Sequence, residues 1–168
     1  MSTLSVDTIQ GKTTAGTVAM PAGHVVQSVE FFRQGLVGSS SSSMLIINST
    51  SFADVMSKTI TTKLANSKIF VSMTINGFNG SDVLRVSTKI FRDSTQINGD
   101  VYGIYGVQAH MVLYSFSMLD APSASAGTTL TYKMQAARES GSSSANRVGY
   151  GDSGGGSSAN IILMEIAQ

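Results

Sequence analysis

The chain has 168 residues, with 11 Lys and Arg against 10 Asp and Glu, and no cysteine. That length suits one domain, which at this size buries roughly 70% of its unfolded surface, and the missing thiols exclude disulfides, thiolate zinc sites and thiol catalysis. A net charge of +1 without a Lys/Arg cluster excludes a binder of nucleic acid or anionic membrane, and no run approaches the ~18 apolar residues of a membrane span.

Charged residues are 12% of the chain, about half the usual share, so hydroxyls and backbone must keep the surface wet. Helical surfaces are rarely built that way. The opening residues lack a basic segment followed by an apolar one, so no secretory leader is expected and the product should remain in the cytosol until assembled.

Residues 1–22 form an extended, nearly uncharged arm. Apolar and polar residues alternate at Leu4 and Val6 and again around Ile9, Gly11 and Gly16 interrupt the pattern, and Val18 and Met20 resume it before Pro21. That period suits short strands, and an arm of this kind needs a neighbour to pack on. From residue 23 a knob is expected. His24 to Phe32 is predicted as its first strand, with Val25, Val29 and Phe31 on one face, followed by a loop from Gly35 that ends in the serines Ser39 to Ser43.

Met44 to Ile47 is a short apolar run, and Ser51 to Leu64 one long or broken strand with Phe52, Asp54 and Met56 opposite Ala53 and Val55. In Ser67 to Asn76 the residues Ile69, Val71, Met73 and Ile75 share one face. Gly77 to Asp82 is a predicted turn, and the return strand sets Leu84, Val86 and Ile90 against Arg85, Ser87 and Lys89, the alternation of a sheet with one wet face.

Gly-spaced aromatics follow in Val101 to Gly106. His110 to Met118 and Thr128 to Arg138 are predicted strands, the first turning Val112, Tyr114, Phe116 and Met118 inward and the second Leu130, Tyr132, Met134 and Ala136. Glu139 to Ala159 collapses to Ser and Gly around Arg147, Val148 and Tyr150. Asn160 to Ile166 then ends the chain as a strand apolar on both faces, and Ile161, Leu163 and Ile166 are the candidate subunit-interface residues. About eight strands without a helical period predict an all-β fold, an antiparallel β-sandwich of the jelly-roll kind.

The stretch TLSVDTIQGKTTAGTVAMPAGHVVQ closely, and SSANIILMEIAQ more loosely, resemble the small fibre-type virion proteins of tailed bacteriophages, marine ones especially. The resemblance implies a homotrimeric knob, held on the particle by Leu4, Val6, Ile9, Val18 and Met20 and contacting the host surface. Its location would be the virion, assembled in the bacterial cytoplasm, and its partners would be sister copies and other virion proteins of tail or capsid. A capsid decoration or head-fibre protein is the alternative within that class. A carbohydrate-binding or adhesin module is the alternative outside it.

Several constellations touch on chemistry. Gly151-Asp152-Ser153-Gly154-Gly155 resembles the nucleophile segment of chymotrypsin-like proteases, but too few residues follow Ser153 to wall a specificity pocket, and no histidine sits in that family's motif. His24 and His110, with Asp100 or Asp120, lack ligand spacing for a metal, and the glycines of 149–156 lack the helix and lysine of a phosphate loop. Asp82, Asp93, Asp100 and Asp120 fall at predicted turns, without the pairing glycoside hydrolysis needs. No catalytic residue, cofactor or metal is therefore expected. Tyr102, Tyr105 and Tyr150, with Arg147, are candidate receptor contacts, since loop aromatics stack on sugars or bind proteins, although a Tyr packed under its own loop has the same sequence.

Overall fold

The computed structural model describes residues 22–34, 45–47, 49–78, 84–98, 102–106, 110–139, 146–148 and 158–168. Eleven strands run through them: β1 Val25–Gln34, β2 Leu45–Ile47, β3 Ala53–Thr61, β4 Lys68–Phe78, β5 Leu84–Arg92, β6 Thr95–Gln96, β7 Tyr102–Gly106, β8 Met111–Asp120, β9 Thr129–Arg138, β10 Asn146–Val148 and β11 Ser158–Ile166. All pairings are antiparallel. The arm residues Leu4, Val6, Ile9, Val18 and Met20, the segment 151–155 and Tyr150 lie outside the described residues.

In the first sheet β8 covers one whole edge of β4, from Ile69↔Asp120 to Phe78↔Met111, so β11 and β10 share the other edge, with β1 and β2 outside them. In the second sheet β9 lines one edge of β5, β7 and β6 share the other, and β3 lies outside β9. The pairings nest: β1 with β11, β3 with β9, β4 with β8, β5 with β7. A hairpin of strands rolled up in this way is a jelly roll, and the sheets stack as a β-sandwich.

Alternation carries the core. Ile69, Val71, Met73 and Ile75 of β4 are 0–1% exposed and face Leu84, Val86 and Ile90 of β5 and Tyr132 and Met134 of β9, each 0% exposed. Two bulges reset the pattern expected from sequence. One lies between Val25 and Gln27, so Val25 pairs with Ile166 and is exposed, while Val29 and Phe31 pack on the core. The other lies between Asp54 and Met56: Met56 is buried, whereas Asp54 reaches outward to Gln135. An extra residue flips a strand's faces, which plain alternation cannot show.

Other expectations need correcting. Gly77 is not in a turn but inside β4, where an added Cβ would sit 2.6 Å from Leu84 Cδ2, so glycine permits the close approach of the second sheet. Tyr102 and Tyr105 belong to β7, hydrogen-bonded along β5, rather than to a loop, and Arg147 belongs to β10, between β2 and β4. Ile161 and Leu163 are 0% exposed within the chain's own core, so neither side chain can meet a second subunit. Ile166 lies on the opposite face of β11.

Two buried acids close one end of the sandwich. Glu165, 0% exposed, accepts hydrogen bonds from the Lys63 and Leu64 amides, Ser67 Oγ and Gln27 Nε2 at 2.6–2.9 Å. Burial raises its pKa, but the donors outweigh burial and hold it below the ordinary carboxylate value. Asp120, 7% exposed, accepts Arg92 Nη1 at 2.7 and 2.6 Å and the Tyr132 hydroxyl at 2.7 Å, tying the first sheet to the second. Sequence placed Asp120 at a turn, whereas it occupies the last core-facing position of β8.

Candidate interaction surface

The sandwich has two outer faces, and they differ in kind. On the second sheet Lys89, Gln135 and Asp54 form one row and Phe91, Lys133 and Ser57 the next. Asp54 accepts from Gln135 at 2.6 Å and pairs with Lys133 at 3.3 Å, while Lys89 stands 4.4 Å above the Phe52 ring. Hydrogen bonding by Gln135 holds the Asp54 pKa below its ordinary value. This face is wet and internally matched.

Tyr105 stands on the same side of that sheet, 58% exposed, its ring over Gly103, where an added Cβ would lie 2.2 Å from Tyr105 Cε2. Its hydroxyl donates to Glu139 Oε1 at 2.6 Å, an acceptor that also takes Ser87 Oγ and that pushes the phenol pKa up. A ring laid over Gly103, with its hydroxyl already donated to Glu139, can stack on a flat partner through its outer face and donate nothing further. Arg147, expected with it among the receptor contacts, lies in the other sheet.

The outer face of the first sheet is dry around Met164 and polar toward its other end. Register assigns it these rows, read from β1 through β11 and β4 to β8: Asn76 and Leu113 on β4 and β8; then Phe32, Asn160, Thr74, Ser115; then Glu30, Ile162, Ser72, Ser117; then Ser28, Met164, Phe70, Leu119; then Val25, Ile166, Lys68. Of the six most exposed large hydrophobics among the described residues, four belong here: Val25 at 45%, Phe32 at 56%, Leu113 at 65% and Leu119 at 51%. Ile162, Met164, Ile166 and Phe70 are half-buried in the centre. Ile162, Met164, Ile166, Phe70 and Leu119 adjoin one another in one patch, whereas Phe32 and Leu113 stand apart from it, across Asn160, Thr74 and Ser115.

The free edges differ too. β1 carries a bulge and Glu30, devices that discourage strand addition, while β8 has no charge from Met111 to Leu119. Ile162 and Met164, which face this surface, were not among the expected interface residues. Their signal was present, because a strand apolar on both sides has one face too many for a single core.

The molecule also has polar ends. At one end Gly23 N donates to Ala167 O and Ala167 N to His24 O, so Gly23 lies beside Ala167, the residue after β11. The same end is fastened by Thr62 N to Thr128 O, Asn66 N to Ala124 O and Thr62 Oγ1 to Ser125 O. The strand ends flanking 79–83, 107–109 and 140–145 all lie at the other end. His24 is at the fastened end and His110 at the opposite end of the same sheet, and Asp120 is already bound by Arg92 and Tyr132. Among the described residues no three His, Cys, Asp or Glu are grouped to hold a metal.

No family model matches the chain, and no curated protein does. Among solved structures it is similar to a chain of infectious bursal disease virus, Gx strain, at a TM-score of 0.37 and 9% identity over 99% of this chain and 47% of that one. The chain thus spans about half the length of that structural neighbour.

Proposed function

We propose that the protein is a structural component of a tailed bacteriophage virion: a homotrimeric jelly-roll knob, held on the particle by residues 1–22 and directing its opposite end toward the host surface. The carrying observation is the polarity of the knob. Gly23, where the arm joins the knob, lies at the fastened end, and the strand ends that flank the Ser- and Gly-rich connections lie at the far end. The virion class and the trimer come from the arm's resemblance. Self-association is supported by the dry face, which no described element of the chain covers.

Deleting Ser2 to Met20 tests the anchor. The shortened knob should keep its β circular dichroism and melt within a few degrees of the full chain, yet be absent from purified particles by mass spectrometry. Normal incorporation would remove the anchoring role. Antibody label at the tail supports the fibre reading, and label over the head assigns the protein to capsid decoration instead.

A further inference from the structure

We infer that the dry outer face of the first sheet is a homotypic interface in which Glu30 of one copy pairs with Lys68 of the next, with Met164 at the centre of assembly. This deepens the self-assembly reading and rests on it.

Position is the first argument. Glu30 lies opposite Ile162 and Lys68 opposite Ile166, on the two flanks of β11, so Met164 is halfway between the two charges. Four residues along the strand and two strand spacings across separate the charges by roughly 16 Å. Around Met164 the face offers Ile162, Ile166, Phe70 and Leu119, an apolar centre within a rim that carries one acid and one base.

Charge selects the occupant. A partner of one strong sign would call for a face of the opposite sign, whereas this face carries one charge of each. Among the described residues the ion pairs are Arg92 with Asp120 and Lys133 with Asp54, and neither Glu30 nor Lys68 takes part in one. A ring of identical copies matches both: each gives Lys68 to one neighbour and Glu30 to the other, and Met164 turns toward the axis.

Light scattering on the full-length protein, with circular dichroism confirming the fold, tests the pairing. The wild type should show three times the chain mass. Glu30→Lys and Lys68→Glu should each raise the midpoint concentration of assembly at least tenfold, since each sets like charges together. The double variant should return to within about twofold of wild type, and Ser57→Lys on the wet face should change nothing. Single variants that assemble normally, or a double variant no better than either, overturn the pairing while leaving self-assembly intact. A monomeric wild type overturns both.

Discussion

Glu165 and Asp120 flank Ile69 in a single row of the first sheet's inner face, one on β11 and the other on β8. Each is a carboxylate at a position where alternation calls for a hydrophobe, and each is filled with donors from another part of the chain. Glu165 gathers the β3–β4 connection, and Asp120 gathers two strands of the opposite sheet. Together they close the end at which Gly23 meets Ala167.

Glu165→Gln should cost about 2 kcal/mol in urea unfolding, because an amide sets its own donors against the Lys63 and Leu64 N–H groups. The acid response follows from the depressed folded pKa. The contribution of Glu165 is complete above its ordinary value of 4.5 and is lost as pH falls through the lower folded value. The variant should have a flatter stability profile below pH 4.5 than the wild type; equal slopes would count against the cage.

At the other carboxylate, Tyr132→Phe should cost about 1–2 kcal/mol, since Arg92 still satisfies Asp120, and Asp120→Ala about 3 kcal/mol, since it strands a partly buried guanidinium. Asp120 raises the pKa of Arg92 against burial, while burial and then Asp120 raise that of Tyr132, so both donors stay protonated at any working pH. A double-mutant cycle between Arg92 and Asp120 should return a coupling above about 1 kcal/mol.

Neighbouring residues on β11 should behave oppositely. Leu163→Ala removes a side chain that is 0% exposed and should cost about 2–4 kcal/mol in stability. Met164→Lys should leave stability nearly unchanged and shift the particle mass in solution toward one chain. If Met164→Lys unfolds the chain while Leu163→Ala leaves its stability unchanged, the two faces have been assigned the wrong way round.

Tyr105→Ala should leave the melting temperature within about 2 °C, because the ring is 58% exposed. If Tyr105 contacts the receptor, phage carrying the variant should adsorb to host cells at least tenfold more slowly. Unchanged adsorption assigns the ring to packing over Gly103 instead.

Composition and alternation made the all-β class legible in advance, with the inward sets of β4, β5, β8 and β9, because the period of two is a local property of each strand. The same alternation held a signal for the buried acids: Asp120 continues the series Val112 to Met118, and Glu165 continues Ile161 and Leu163. A carboxylate in that register becomes intelligible only when its donors are known, and these lie 28 and about 100 residues away. The bulges at Val26 and Val55 escaped for a related reason, since an extra residue shows only against a partner strand.

What the sequence determined by itself was that the final strand has two apolar faces and that the chain has too little charge to wet all of its surface. Which face is inside was decided by tertiary structure. Once β11 lies between β1 and β4, the second sheet covers Ile161 and Leu163, and Ile162, Met164 and Ile166 are left outward. The hydrophobic effect rewards burial without specifying a partner, so only the register of neighbouring strands could separate core from interface.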